Sequence, residues 1–248
     1  MKIPKTHPRH DSLVIREKLV QAYKDGILAA QGLIAQGRGE SFDYLLGEKT
    51  IPQADKAERV AAGILLNSDR PVLSVNGNVA VLAAEPIVRL AESVPCNIEV
   101  NLFHRTEERI SKIVNLLEKF TDMPILGPNA SKNIPGLDQP RGLCEDNGIF
   151  SADTVLVALE DGDRTEALVG MGKTVIAIDL NPLCRTARKA TVTIVDELTR
   201  AVPRMTEHVI ALKNERESIP EIIDTFDNSE NLEEAIRYIC KSLQGNED

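Results

Sequence analysis

The chain has 248 residues, 42% of them hydrophobic, and a formal net charge of -9 at pH 7. This length and composition can fill the core of one large α/β domain or two small ones, and one main domain is the simpler interpretation. The acidic balance argues against a nucleic-acid surface, which is usually a basic face, and 3% aromatic residues offer few platforms for stacking bases. An anionic small ligand would therefore need a local cluster of arginines.

The cysteines and the N-terminus exclude further classes. No C-x-x-C pair occurs and no histidine lies at metal-ligand spacing, so neither a disulfide framework nor a zinc site is indicated. The N-terminus has no apolar h-region, and apolar runs of ~18 residues are absent. We expect reduced thiols and a cytoplasmic protein that is not exported and does not contact membranes or nucleic acid.

The N-terminal part is predicted to be helical. Apolar residues recur at near-helical spacing over Ser12–Gln36, with Asp11 or Ser12 as the cap, which indicates a helical arm. The G-R-G-E run at Gly37–Glu40 favours a tight turn that exposes the backbone to a partner or ligand. A helix is predicted over Pro52–Asn67.

From there strand and helix patterns alternate, as is typical of βαβ crossovers and a mostly parallel sheet. Runs such as V-L-S-V and V-L-V-A-L are almost wholly apolar, as expected when helices cover both faces. We predict an α/β fold, a Rossmann-like three-layer αβα sandwich with an N-terminal helical arm. The predicted segments are strands at Pro71–Val75, Asn97–Phe103, Met123–Leu126, Thr154–Leu159, Thr174–Ile178 and Thr191–Val195, and helices at Val79–Ser93, Thr106–Phe120, Thr165–Met171, Glu197–Leu212 and Leu232–Leu243.

Three segments are expected along the chain. Residues 1–50 form the helical arm with its Gly-Arg-Gly turn, packed on the main domain; residues 51–212 form the catalytic domain; residues 213–248 form an acidic helical tail. Within the main domain, Gly127–Phe150 is a long connection rich in Gly, Pro, Asn and Asp, and loops of that length are usually functional or mobile.

Four polar clusters follow predicted strands. Neither G-x-G-x-x-G nor a Walker P-loop occurs, so any nucleotide is held in another way. In an open α/β sheet, ligands bind outside the carboxyl ends of the strands, which predicts one composite anion pocket. The clusters are N-G-N (Asn76–Asn78), N-L-F-H-R-T-E-E-R (Asn101–Arg109), E-D-G-D-R-T-E-A (Glu160–Ala167) and D-L-N-P-L-C-R-T-A (Asp179–Ala187).

Each cluster has a functional and a structural interpretation. Asn76–Asn78 either offers N–H groups at a helix N-terminus to a phosphate or forms a turn capped by Asn78. At the next strand end, His104 is a surface group or a general base, Arg105 is the better ligand candidate, and Thr106 is a possible cap.

The third and fourth clusters carry acids and arginines. Glu160, Asp161 and Asp163 suit Mg²⁺ held through water, or else form a turn in which Asp163 caps the next helix. Asp179 is placed to take ribose hydroxyls. Arg185 with Thr186 is placed to hold phosphates, unless Arg185 serves a surface salt bridge.

The chain resembles a known family, the archaeal phosphopantothenate synthetases (4-phosphopantoate–β-alanine ligases) of coenzyme A biosynthesis. Long blocks in order up to about residue 207 carry the resemblance, and the C-terminal tail lies outside it. They are Gly32–Glu48, Ser74–Asn78, Glu99–Arg109, Leu159–Leu168, Ile178–Ala187 and Ile194–Glu207.

The resemblance implies a Rossmann-like homodimer that joins 4-phosphopantoate to β-alanine with ATP, releasing AMP and diphosphate through an acyl-adenylate, with Mg²⁺ expected on the ATP. It implies ATP contacts at Arg16, Arg38, Asp179, Leu180, Asn181, Arg185, Thr186, Glu197 and Leu198. It leaves substrate contacts to Asn76, Gly77, Asn78, Asn101 and His104, and catalytic roles to Arg105, Asp161 and Arg164. No residue is assigned as a resident metal ligand.

Four positions depart from the family pattern. Gln36 replaces a histidine, His104 a tyrosine, Cys184 a serine and Glu197 an asparagine. A carboxylate cannot donate to an adenine nitrogen as an amide can, so the backbone at Glu197 is the transferable contact. Two other functions remain open at this point: a nucleotide-binding module without turnover, and an amide ligase that forms ADP through an acyl-phosphate.

Overall fold

The computed structural model describes residues 3–214 and 219–245. The helices are α1 (His10–Lys24), α2 (Ala30–Leu46), α3 (Pro52–Asn67), α4 (Gly77–Ser93), α5 (Glu107–Leu117), α6 (Gly162–Gly170), α7 (Arg185–Lys189), α8 (Leu198–Asn214), α9 (Ile219–Asp224) and α10 (Asn228–Leu243). The strands are β1 (Pro71–Val75), β2 (Asn97–Val100), β3 (Lys132–Asn133), β4 (Leu143–Cys144), β5 (Thr154–Ala158), β6 (Thr174–Ile178) and β7 (Val192–Ile194). None of the described helices is both long and apolar enough to cross a bilayer.

The main sheet is parallel, with the strand order β2-β1-β5-β6-β7. The chain moves outward from β1 to β2 and then crosses to β5, so the winding direction reverses between β1 and β5. In doubly wound sheets such a reversal opens a crevice at the carboxyl ends of the two strands, where ligands bind. The fold therefore places a binding crevice after Val75 and Ala158.

Helices and loops cover both faces of the sheet. Successive strand residues point to opposite faces. On β5, Leu156 packs in the core on the side of α3, α4 and α8, whereas Val155 and Val157 pack with the long connection and α6. The predicted three-layer α/β architecture is confirmed.

Element boundaries follow the predictions closely where the hydrophobic pattern is strong, as in α3, β1 and β6. The strand predicted over Met123–Leu126 is reduced to a single parallel bridge between Leu126 and Glu99. Pro124 has no N–H to give to a ladder, and Gly127 turns the chain away with a φ of +125°. The strand predicted to Phe103 ends at Val100.

The N-terminal arm is two helices, so the single helix predicted over Ser12–Gln36 is wrong. Gly26 adopts a φ of +71° after α1, and α2 begins at Ala30. The predicted cap at Asp11 or Ser12 is also wrong, because α1 begins at His10.

The tight turn predicted at Gly37–Glu40 is wrong as well, because these residues lie inside α2. Packing explains why glycine is found in this helix despite its low helix propensity. A Cβ at Gly39 would lie 3.4 Å from Leu180 Cδ1, so the small residue lets α2 approach the loop after β6. The arginine between the two glycines is therefore presented by a rigid helix.

The C-terminal helix α10 packs against α2, α3 and α7. Leu232 and Ile239 join a buried cluster with Leu46 and Leu180, which come from the arm and the main domain. The division into segments 1–50, 51–212 and 213–248 stays a prediction, and residues 215–218 and 246–248 of the tail lie outside the described part.

Buried carboxylates anchor the long connection to the sheet. Glu99 on β2 accepts hydrogen bonds from the backbone N–H groups of Glu145 (2.9 Å) and Ile149 (2.6 Å). Glu145 in turn accepts from the N–H groups of Gly127 (2.6 Å) and Asn129 (3.0 Å). The connection is therefore held at both ends.

We expect Gly148→Ala to loosen this anchor, because a Cβ at Gly148 would collide with the Glu99 carboxylate. Overpacking of this kind typically costs about 1–3 kcal/mol in the free energy of unfolding. Gly170→Ala is the matched control, because its Cβ would meet open space. Urea unfolding of both variants tests the prediction, and equal stabilities would contradict it.

Another buried acid, Glu58, makes stability depend on pH. Burial raises the pKa of Glu58 on α3 to about 8, with repulsion from Asp196 and Asp55 adding to the shift and Arg204 opposing it. A raised pKa stabilises the fold below the ordinary value of 4.5, and this contribution is lost as the pH rises through 8. We expect Glu58→Gln to flatten the fall in unfolding free energy between pH 4.5 and pH 8, measured by urea titration at several pH values; an unchanged slope would contradict this.

Candidate active site

A cavity of about 730 Å³ opens at the carboxyl ends of the strands, within the size range of small-molecule sites. Its walls come from the loops after β1, β2, β5, β6 and β7 and from α2. All four polar clusters contribute to it. The predicted site residues that line it are Arg38, Asn76, Gly77, Asn78, His104, Asp161, Asp179, Leu180, Asn181, Arg185, Thr186, Glu197 and Leu198.

Three predicted arginines, Arg16, Arg164 and Arg105, lie outside the cavity lining. Arg16 on α1 pairs with Glu40 on α2, with Nε 3.0 Å from both carboxylate oxygens, and so joins the two arm helices. Arg164 on α6 is fully buried and pairs with Glu160, while its NH2 donates to Ser74 Oγ at 3.2 Å. These contacts indicate that Arg16 and Arg164 hold α2 and Glu160, which line the cavity, in position.

Asn101 and Arg105 also lie outside the cavity lining and hold the long connection. Asn101 is fully buried, and its Nδ2 donates to Leu143 O at 3.0 Å. Arg105 NH2 donates to Gly127 O at 2.6 Å, and burial lowers the pKa of its guanidinium. Asn101 Oδ1 and Arg105 NH1 are buried without a hydrogen-bond partner in the described chain.

Asn76 organises the crevice between β1 and β5. Its Nδ2 donates to Ala158 O (2.7 Å), and its Oδ1 accepts from Val79 N (3.1 Å) and caps α4. The cap is thus Asn76 and not Asn78, whose side chain donates to Gly32 O. The N–H groups at Gly77 and Asn78, which open α4, have no acceptor within the helix and form an anion-binding end.

An ion-paired cluster forms the floor at the end of β5. Arg141 Nε lies 2.6 Å from Glu160 Oε1, as an ion pair whose N–H is not aligned with the oxygen, and Arg164 pairs with the other oxygen. Burial alone would raise the pKa of Glu160, but the two guanidinium charges outweigh it and keep the pKa below its ordinary value. Of the two arginines, Arg141 lines the cavity, and its NH1 also lies 3.6 Å from Asp161 Oδ2.

The three carboxylates of this cluster do not gather as the magnesium interpretation required. Glu160 is committed to the arginines, and Asp163 pairs with the exposed Arg185. Glu160 and Asp161 line the cavity and Asp163 does not, and burial raises the pKa of Asp161. The cap predicted at Asp163 is also wrong, because α6 begins one residue earlier, at Gly162, with Asp161 at its N-cap.

Arg185 is held at the cavity mouth by two carboxylates. It pairs with Asp163, and its NH2 lies 2.6 Å from Glu166 Oε2. Hydrogen bonds from Arg185 and Lys189 lower the pKa of Glu166 to about 2. The predicted surface salt bridge is therefore present, and phosphate binding by Arg185 would require exchange of these partners.

Asp179 lies at the end of β6 beside the cavity. It accepts from Asn181 N at 2.9 Å and from the Cys184 thiol at 3.2 Å. Burial raises the pKa of Asp179, and the positive charge of Arg38 opposes the rise. Arg38 itself is exposed and has no hydrogen-bond or ion-pair partner in the described chain, so it is available to an anionic ligand.

The sequence did not predict several of the residues that line the cavity. Arg141 comes from the long connection, where a lone arginine in Q-P-R-G carries no positional signal. The sequence indicates Arg109 only as part of a cluster. Its NH2 donates to Ile27 O at 3.1 Å and its NH1 donates to His104 O, so it links the segment before α2 to the loop after β2. Phe42 lines the cavity from α2, and only the helical phase of α2 could have indicated it.

Comparisons with known proteins agree with the resemblance and extend it past residue 207, so the expectation that the C-terminal tail lies outside it is wrong. A model of the family described as phosphopantothenate/pantothenate synthetase matches residues 53–242. A 4-phosphopantoate–beta-alanine ligase of Thermococcus onnurineus is 50% identical over 98% of this chain and 94% of its own length. The ligases of the same name from Methanosarcina mazei and Thermococcus kodakarensis are 51% and 49% identical, over 98% and 97% of this chain and 96% and 93% of their own lengths. The chain therefore belongs to the phosphopantothenate/pantothenate synthetase family.

Proposed function

We propose that the chain ligates 4-phosphopantoate and β-alanine to 4′-phosphopantothenate, with ATP leaving as AMP and diphosphate. The observation that carries this proposal is sequence identity. About half of the residues are identical to those of relatives named 4-phosphopantoate–beta-alanine ligases, over nearly the full length of the chain. The cavity supports it, because one crevice joins an anion-binding helix end, cations and carboxylates. The proposal includes a cytoplasmic homodimer, as the family resemblance implies.

The chemistry explains why cations are needed. A carboxylate does not condense with an amine in water unless it is activated. Attack of the 4-phosphopantoate carboxylate on the α-phosphate of ATP gives an acyl-adenylate and diphosphate, and the β-alanine nitrogen then displaces AMP. Both anionic substrates must meet, and Arg38, Arg141 and Arg185 line the space where they would do so. Positioning of this kind is worth about 7–11 kcal/mol in well-oriented reactions.

The cavity offers distinct places for the substrates. We assign ATP to the side built by α2 and the loops after β6 and β7, where Arg38 and Asp179 lie. The α4 N-terminus, at Gly77 and Asn78, suits the phosphate of 4-phosphopantoate. Arg16, Arg105 and Arg164 act as positioning residues in this arrangement. Arg164 does so through Glu160 and Arg141.

Mg²⁺ would enter with the triphosphate. Asp161 is the member of the β5 cluster that fits it, because its Oδ2 accepts no hydrogen bond from the described residues, although Arg141 NH1 lies 3.6 Å away. One carboxylate together with phosphate oxygens and water is a usual environment for Mg²⁺. Bound there, the ion would neutralise charge on the phosphates.

An omission assay tests the proposal. The purified protein is incubated with Mg-ATP, 4-phosphopantoate and β-alanine, each left out in turn, and the nucleotide and acyl products are identified. AMP and 4′-phosphopantothenate formed together only in the complete mixture support the proposal. ADP would indicate an acyl-phosphate ligase, and ATP binding without turnover would indicate a binding module.

A further inference from the structure

We propose that Glu197 selects the nucleobase: its free carboxylate oxygen accepts a hydrogen bond from the exocyclic amino group of adenine and disfavours bases with an oxygen at that position. This inference rests on the proposed use of ATP. It assigns to the Glu197 side chain a role that the sequence reasoning gave only to its backbone.

The two oxygens of Glu197 are in different situations. Oε2 accepts from Thr199 N at 2.6 Å and from the Thr199 hydroxyl, which fixes the carboxylate at the start of α8. Oε1 is buried and has no hydrogen-bond partner in the described chain. Glu197 is 4% exposed and lines the cavity. A buried acceptor without a donor is costly, so a ligand that brings an N–H is favoured there.

The surroundings suit a base better than a phosphate. Asp43 and Asp196 lie beside Glu197, and Arg200 is already committed to both of them. The carboxylates make this end of the cavity unfavourable for phosphate oxygens. Phe42 and Leu198 add apolar surface to the cavity wall, as expected for a stacked base.

The ring edge of adenine matches this arrangement. Its 6-amino group is a donor, whereas inosine and guanine carry an acceptor oxygen at the same position. An oxygen facing Glu197 Oε1 would place two acceptors together. Gln36 also lines the cavity, and its Oε1 has no hydrogen-bond partner among the residues that the structure describes. Its amide can turn to offer an N–H instead, so it discriminates less between bases.

Glu197→Gln converts the selective acceptor into a donor. The amide oxygen of the variant can keep the bonds from Thr199, which leaves the NH₂ group at the position of Oε1. We expect the wild-type protein to prefer ATP over ITP, and this variant to lower the ratio of the two kcat/KM values by about tenfold or more. Glu207→Gln, at an exposed acid on α8, removes the same charge and should leave the ratio unchanged.

The experiment measures ligation rates and, in parallel, equilibrium dissociation constants for ATP and ITP. A ratio that falls only in Glu197→Gln supports the inference. A ratio unchanged by Glu197→Gln overturns it and leaves Glu197 a structural residue at the start of α8. A rise in the KM for β-alanine with an unchanged ratio also overturns it, because the free oxygen would then face the amine substrate. If the protein binds ATP in preference to ITP but does not catalyse ligation, the proposed function is overturned and the inference about Glu197 stands.

Discussion

Arg38→Ala is expected to lower kcat/KM for ATP by about 100-fold or more while the protein stays folded, as loss of one preorganised donor does in other enzymes. Arg38 lines the cavity from α2 and has no ion-pair partner in the described chain, so its charge is available to the triphosphate. Because it is exposed, its loss leaves no buried group unpaired. Steady-state kinetics with varied ATP, together with a thermal melt, measures both expectations.

Two further variants sharpen this test. Arg38→Lys keeps the charge but not the bidentate geometry and should recover part of the activity. Arg89→Ala removes an exposed arginine that pairs with Glu85 on α4, and the variant should match the wild-type protein. Unchanged ATP kinetics in folded Arg38→Ala would remove Arg38 from the site.

Glu160→Gln is expected to cause the largest loss of stability. The substitution leaves Arg141 and Arg164 without their shared counter-ion at positions that are 7% and 0% exposed. Breaking a buried ion pair from one side typically costs about 3–5 kcal/mol. Urea unfolding measures this loss, and Glu85→Gln, in an exposed pair, should change the unfolding free energy by less than about 1 kcal/mol.

The same cluster predicts a dependence on pH. The pKa of Glu160 is held below its ordinary value of 4.5, so its contribution to stability is present above pH 4.5 and is lost as the pH falls through the folded value. The difference between wild-type protein and Glu160→Gln should therefore shrink on acidification. A constant difference, or no loss of stability in the variant, would contradict the role given to this cluster.

The sheet could be predicted because its strands are buried on both faces and their sequences are nearly continuous apolar runs. The helical nature of the arm could also be predicted, but the course of α2 through Gly37–Glu40 could not, because G-R-G-E is locally typical of a turn. Its helical state depends on tertiary packing, since Gly39 permits close approach to Leu180 and Glu40 pairs with Arg16. Tertiary contacts of this kind override local propensity.

The cavity could be predicted in outline, because parallel strands bring their carboxyl ends to one edge. The partners of individual side chains could not be predicted. Arg164 and Glu160 are neighbours on the chain, but Arg141 reaches them only through the fold of the long connection. Sequence spacing likewise gave no sign that Asp163 would pair with Arg185.

The most direct test of the account follows oxygen atoms through the reaction. The protein is supplied with ATP, β-alanine and 4-phosphopantoate labelled with oxygen-18 in its carboxylate, and the phosphorus-containing products are analysed by mass spectrometry. An acyl-adenylate route transfers one labelled oxygen to AMP, which is the result we predict. Label in orthophosphate with formation of ADP, or AMP without label, would contradict it.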